Sequence, residues 1–383
     1  MEQNIFQLEL YNMNASNDDE PGNFCSIPDA PILDLSDPSI AARYEYDSVQ
    51  SALVTIVYPC ICLFGILTNS IFLLTVIRVP YMKSITNIYL SNLAVSVGYH
   101  VSVNSCQLSF LTGAGLSLWK YLSTPVTTDF SIFGGVLGCL ITQALNSTPF
   151  FASTLLVTVV AVERYLAICR PIEHRKINSR GRAFTLIAAT WAAAFCCEAF
   201  LLPSYSVYTS SCVMWPDDHY FKEFPRTIGS CFTPALWTKV LAAFVLTVPI
   251  VFAFIFTFVL YFLIVRKLGK RIGKRAPSEQ SSNRAKSRRT RNHVAKMLII
   301  AGTVFYILLT PRTIVILYYY IKFFAGTTGL PPGVEFILVT STNILLYVNS
   351  VTNPIIYVFS NKRYRTAVIQ AFYPGSKVIT VSH

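Results

Sequence analysis

Seven stretches of this chain are each long and apolar enough to cross a bilayer, and a fold with water on every side has no room to bury them all. They cover approximately 51–78, 85–110, 136–168, 183–204, 236–265, 294–322 and 334–359. A hydrocarbon core about 30 Å thick takes roughly 20 helical residues at about 1.5 Å each. Across 383 residues, 53% are hydrophobic and the mean hydropathy is +0.50, beyond what a soluble core with a hydrated surface uses. Lipid offers the backbone no hydrogen-bond partners, so spans of this length must be helices. The expected fold is an all-α membrane protein, one seven-transmembrane helix bundle. No repeat at domain scale appears, which argues against the duplicated halves of many transporters.

Charge orients the bundle. Acids crowd the first 47 residues, where Arg43 is the one base, whereas the segment from Arg266 to Arg291 carries many bases against the single acid Glu279. Further bases follow the third stretch (Arg170, Arg175, Lys176, Arg180, Arg182) and the seventh (Lys362, Arg363, Arg365). Positive residues mark the cytosolic side, so the N-terminus is expected outside and the protein multi-pass in the plasma membrane. The net charge of +12 is thus a topology signal spread over inner loops, not one nucleic-acid-binding face. The expected organisation is an extracellular acidic tail over 1–49, a transmembrane domain over 50–360, and a cytoplasmic amphipathic helix with a short tail over 361–383. Residues 1–47 and 269–292 read as mobile by composition. Bases alternating with Tyr364, Val368, Ile369 and Phe372 suit an eighth helix lying on lipid. From the polar, acidic start no secretory leader is expected, and the first span is expected to serve as an uncleaved insertion signal. Asn14-Ala15-Ser16 is the expected glycosylation site.

In the third stretch Cys139, Gln143, Asn146 and Phe150 step by four, three and four and share a face. Arg164 lies five turns past Asn146 on that face, about 38 Å from Cys139 by helical rise. One stripe therefore joins an outer anchor, a polar pocket and the charged triplet Glu163-Arg164-Tyr165. Packing around buried water accounts for the pocket but leaves the triplet unexplained. In the seventh stretch Asn343, Tyr347, Ser350, Asn353 and Tyr357 recur at helical spacing, and His100 in the second reads as a hydrogen-bonded interior histidine. Arg312, after Pro311 in the sixth, and Glu198 in the fourth lie deep, where ionisable groups face a cavity or each other. We expect them to line a ligand pocket, the competing reading being an internal Arg312–Glu198 pair. Histidines are scattered, and no metal motif, phosphate loop or paired intramembrane aspartate occurs, so neither an enzyme, a cofactor nor a metal is expected. Cys25, Cys139, Cys212 and Cys231 map to the oxidising side, and four cysteines allow three pairings.

The landmarks, in order, are Gly65-x-x-x-Asn69, Asn92-Leu93-Ala94, Cys139, Glu163-Arg164-Tyr165, Trp191, Pro249, Pro311 and Asn353-Pro354-Ile355-Ile356-Tyr357. Together they resemble rhodopsin-like (class A) G-protein-coupled receptors over nearly all of 50–373. The Pro311-Arg312-x-Ile314-x-Ile316-Leu317-Tyr318 run and Asn361-Lys362-Arg363-Tyr364-Arg365 are similar to FMRFamide-type neuropeptide receptors. The resemblance implies that Cys139 is tied to the second outer loop, with Cys212 as expected partner and Cys231 as the alternative; Cys25 and Cys231 would then form a second bridge. It implies an extracellular peptide ligand held by Gln143, Asn146, Phe150, Glu198, Arg312, Asn343 and Tyr347. It further implies coupling to a heterotrimeric G protein through Glu163, Arg164, Tyr165, Ile172, Phe305, Pro311, Asn353, Pro354 and Tyr357, with arrestin and membrane lipid as further partners.

Departures from the family pattern bear on mechanism. The sodium-holding aspartate of the second helix is Val97, the sixth-helix tryptophan is Leu309, and the inner tyrosine of the fifth helix is Thr257. The acid of the inner sixth helix is Arg291, which leaves Glu163 as the nearest expected partner of Arg164 and predicts ligand-independent signalling. A seven-helix transporter or channel is the rival from another class, but apolar Val97, Phe305 and Leu309 at mid-depth oppose a continuous polar path. A ligand-binding receptor of the same fold that does not signal is the other.

Overall fold

The apolar stretches form helices packed side by side in the computed structural model, which describes residues 30–94, 106–272, 283–327 and 329–373. The first helix, Ser48–Arg78, starts at a capping box: the Asp47 carboxylate accepts from Gln50 N at 2.7 Å, and the Gln50 side chain accepts from Asp47 N at 3.4 Å. It loosens into a π turn over Leu53–Val57, just ahead of Pro59, which has no N–H to give to the turn before it. The second helix is described as Ile85–Ala94 and Cys106–Ser123, and so runs well past its expected end at 110. The third is Gly135–Cys169 and the fourth Arg180–Leu201, extended by a tight turn over Leu202–Tyr205. The fifth and sixth, Leu236–Ile272 and Asn283–Ala325, both extend into the basic segment expected to be loop. The seventh, Pro332–Ser360, stops at Asn361, whose side chain accepts from Arg363 N at 3.0 Å and starts the eighth, Lys362–Phe372.

Among the described residues, six helices are long and apolar enough to cross a membrane; part of the second, with His100 and Val97, lies outside them. The third is central. Of its most apolar window 67% is buried, against 28–39% in the other five, because the second, fourth, fifth and sixth helices all pack on it. The opposite faces turn Leu63, Phe252, Phe258 and Ile307 outward, a surface that only lipid can cover without penalty. Between helices the polar groups find each other. Asn69 Nδ2 donates to Gly65 O at 2.8 Å and to Ser350 O at 3.2 Å, tying the first helix to the seventh. The eighth helix is tied as well: Tyr364 donates to Asn87 Oδ1, Arg78 donates to Ala371 O at 3.1 Å, and Tyr364 lies against Phe72 and Tyr357.

A small sheet caps the end of the bundle that carries residues 30–47. Strand β1 (Ile32–Asp34) runs parallel to β2 (Val207–Met214), which pairs antiparallel with β3 (Thr227–Phe232). Leu35, Ala41, Tyr44, Val126, Val213 and Ile228 are buried beneath it. The expected mobile tail is therefore ordered from residue 30 onward. Its polar composition hid the alternation of Leu33 and Leu35, which face the cap core and are enough to add a short edge strand once a hairpin is there to receive it. Asn14 and Cys25 lie outside the described residues.

The cap also corrects the disulfide. Cys139 is bonded to Cys231, not to Cys212, and a Cys25–Cys231 bridge is thereby ruled out. In the hairpin register Cys231 stands opposite Tyr208 while Cys212 stands opposite Thr227 and beside Ile32. Four residues of strand, about 13 Å, separate Tyr208 from Cys212, and only the Cys231 end of the hairpin sits over the start of the third helix. Cys212 is disulfide-bonded too.

Candidate ligand pocket and coupling face

Beneath the cap, the third helix starts in an unusual backbone conformation. Gly134 and Gly135 have φ of 82° and 72°, and a Cβ on Gly138 would lie 2.1 Å from Phe133 O, so the chain can double back onto the helix only with glycine there. This turn sets Cys139 under the hairpin. One turn deeper, Gln143 is half-buried and Asn146 is exposed, its Nδ2 donating to Thr142 O at 2.8 Å. Phe150 is buried against Phe151 in the main core.

Glu198 is buried at 3% exposure and accepts a short hydrogen bond from Ser147. It does not pair with Arg312, which removes the reading of those two charges as an internal fastener. Glu198, Arg312 and Tyr320 instead all lie within electrostatic reach of Tyr205, so the fourth helix with its terminal turn and the sixth helix bring a carboxylate, a guanidinium and two phenols to one region. Ser147 is one residue off the predicted stripe, and the need of a buried carboxylate for a donor was its only signal. On the seventh helix Asn343 and Tyr347 are half-buried, and Tyr347 packs edge-on to Tyr58 at 5.2 Å, toward the first helix. At the capped end of the sixth, Tyr318 Oη donates to Glu335 Oε1 at 3.1 Å and Lys322 Nζ lies 3.3 Å from the same oxygen.

The cap is pinned by Asp129, 2% exposed. Its Oδ1 accepts from Ser131 N at 2.8 Å and Gly229 N at 3.0 Å, and its Oδ2 from Thr124 Oγ1 at 3.3 Å. Lys120, ten residues beyond the expected span, donates to Thr127 O and lies 4.1 Å from the Phe130 ring centroid. Burial pulls its ammonium down to about 7, with the charge of Asp129 opposing. Burial likewise pushes the Tyr44 phenol up to about 12.

Below the pocket Phe305 and Leu309 are each 2% exposed, so the positions that would report ligand contact are solidly packed. Tyr306, next to Phe305, meets Thr158 and Thr257 at 3.3 Å each, and Thr257 donates to Thr158 at 3.2 Å. That triangle joins the third, fifth and sixth helices. One turn on, Tyr261 Oη donates to Leu298 O at 3.3 Å, and a Cβ on Gly302 would lie 2.0 Å from Tyr261 Oη. In the seventh helix Asn353 and Tyr357 are buried around Pro354.

At the far end Glu163 is 1% and Arg164 is 7% exposed, with Tyr165 half-buried. Arg164 Nη2 donates to Thr86 Oγ1 on the second helix at 2.8 Å. Glu163, expected to hold Arg164, is held elsewhere: Arg182 Nη1 lies 2.7 Å from its Oε1 and His174 Nε2 lies 3.5 Å from its Oε2. Burial lowers the affinity of His174 for a proton, Glu163 opposing. His174 belongs to a short helix, Pro171–Ile177, that also presents Ile172 at 74% exposure. Neither this helix nor the roles of Thr86 and Arg182 had a sequence signal beyond the bases themselves.

A bundle of spans around a buried Arg164, a third helix tethered by Cys139, and proline-bearing fifth, sixth and seventh helices define a membrane receptor of the seven-helix class. The chain belongs to the 7 transmembrane receptor (rhodopsin family), whose profile matches residues 68–357. It is similar to the neuromedin-U receptor 2 of Rattus norvegicus, 27% identical over 326 residues, 85% of this chain and 76% of that one. The thyrotropin-releasing hormone receptor of Ovis aries is 27% identical over 346 residues, 86% of this chain and 79% of that one. The growth hormone secretagogue receptor type 1 of Sus scrofa is 28% identical over 386 residues, 95% of this chain and 94% of that one.

Proposed function

We propose that the protein is a plasma-membrane receptor for an extracellular peptide, with its N-terminus outside, and that it passes ligand binding to heterotrimeric G proteins. The observation that carries this reading is the third helix: it begins under a disulfide-tethered cap, passes a polar region containing Glu198 and Arg312, and ends at buried Arg164. Relatives that are peptide-hormone receptors support the ligand class. Gln143, Asn146, Arg312, Asn343 and Tyr347 would face the peptide, with Glu198 and Phe150 forming the floor. A ligand drives a conformational change only by its differential affinity for the two states. Here the change would be a rearrangement of the sixth helix about Pro311, felt through Phe305 and the Thr158–Tyr306–Thr257 triangle, which opens the inner end so that Arg164 and Ile172 meet the G protein. Bases of the inner connections would meet anionic lipid, and arrestin would compete for the same face.

A library of amidated neuropeptides applied to cells expressing the full chain, read by sensors for several G proteins, tests this. At least one peptide should evoke a response, and Arg312→Ala should move its half-maximal concentration upward by tenfold or more. A library without effect, at confirmed surface expression, would count against a peptide ligand.

A further inference from the structure

Glu163 and Arg164 are neighbours in sequence and both buried, and yet the carboxylate of one and the guanidinium of the other take different partners. Glu163 is held by Arg182, at the start of the fourth helix, and by His174, in the short helix after the third. Arg164 reaches the other way, to Thr86 on the second helix. Tyr89 is within electrostatic reach of Glu163, Arg182 and Arg164 together, so all three charges share one small region of the inner end.

We propose that Arg182 is a positioning residue for G-protein coupling: by holding the Glu163 carboxylate it keeps Arg164 out of a Glu163–Arg164 pair and leaves the guanidinium directed at Thr86, from where it can meet a G protein. This rests on the coupling role of Arg164 proposed above. A carboxylate at 1% exposure gains strongly from a cation beside it, because the desolvation of an unpaired buried charge is otherwise not recovered. Without Arg182 the carboxylate keeps His174, which lies farther away, 3.5 Å from Oε2 against 2.7 Å for Arg182 from Oε1, and whose proton affinity burial lowers while Glu163 opposes. The cation then available without unfolding is Arg164, one residue away on the same helix. Capture of Arg164 by Glu163 would withdraw it from Thr86 and close the coupling face. Arg182 suits the holding role because its side chain is only 28% exposed and its Nη1 lies 2.7 Å from the buried Glu163 Oε1.

The test uses the full chain in lipid nanodiscs, with surface yield and melting temperature checked for each variant, titrated with purified GDP-depleted heterotrimers of the four α-subunit classes. Arg182→Gln should weaken the apparent Kd of the best-coupling heterotrimer about tenfold, and Arg182→Lys less. The double variant Glu163→Gln/Arg182→Gln, which has no buried carboxylate to capture Arg164 and no unpaired charge to unfold it, should bind at least about threefold more tightly than Arg182→Gln. A purely structural role for Arg182 predicts instead that the loss of affinity across the variants follows the loss of melting temperature. The proposal is overturned if Arg182→Gln binds as tightly as the wild type or more tightly, or if the double variant stays as weak as the single one. Wild-type receptor that binds none of the four heterotrimers would overturn the coupling reading itself, and this proposal with it.

Discussion

Replacing Asp129 with alanine should release the cap from the bundle. The carboxylate of Asp129 is buried and accepts two backbone N–H groups, from Ser131 at 2.8 Å and Gly229 at 3.0 Å, and the hydroxyl of Thr124 at 3.3 Å. Hydrogen bonds to a charged group contribute roughly 1.5–3 kcal/mol each. The two short ones therefore sum to about 3–6 kcal/mol, and the Gly229 N–H, opposite Ser210 in the hairpin, is given to Asp129 and not to β2. At about 1.4 kcal/mol per factor of ten, amide exchange over 227–232 should accelerate by at least about a hundredfold. Asp129→Asn keeps an oxygen for both N–H groups and should accelerate exchange far less. The assay is hydrogen–deuterium exchange with mass spectrometry on purified receptor, using peptides of the seventh helix as an internal standard. Exchange over 227–232 within threefold of the wild type in Asp129→Ala would refute the reasoning, as would equal acceleration in the seventh helix, which would signal global unfolding.

Lys120 gives the cap a pH dependence. Its folded value of about 7 lies below the ordinary 10.5, so between those values the unfolded chain holds the proton and the folded one does not; stability contributed here rises with pH through that window. The melting temperature of Lys120→Met should vary less than that of the wild type between pH 7 and 10, and parallel curves would contradict this. Gly302→Ala puts a Cβ 2.0 Å from Tyr261 Oη, and overpacking of this kind costs about 1–3 kcal/mol; the melting temperature should fall, and Tyr261→Phe in that background should recover part of the loss. Ser147→Ala removes the donor to buried Glu198 and should lower surface expression, with Glu198→Gln restoring it if the uncompensated carboxylate is the cause.

Period and punctuation made the helices readable. Apolar runs gave six spans that the structure also shows as long apolar helices, and Asn361 ahead of a base-and-aromatic alternation marked the eighth. The depth and face of Arg164 followed from counting turns back to Asn146. What escaped were choices made between distant segments. Cys231 and Cys212 are equivalent as residue types, and only the hairpin register decides which lies over the third helix. Ile32–Asp34 is too short to announce a strand and forms one because β2 offers an edge. Glu163 appeared to have one cation in reach, Arg164, because adjacency is visible in sequence, whereas Arg182 arrives only after the inner connection folds back. Helices five and six extend into the basic segment because like charges spaced along a helix in water are tolerated, although composition alone favoured a loop.

Guanine-nucleotide exchange in membranes carrying the full chain or Arg164→Ala, at matched surface expression and without added ligand, bears most directly on the claim that Arg164 is the coupling group. Because Glu163 is occupied by Arg182 and His174, wild-type membranes should exchange nucleotide measurably faster than membranes from mock-transfected cells, and Arg164→Ala should fall to the mock rate. Wild-type exchange no faster than mock, or undiminished exchange in Arg164→Ala, would contradict it.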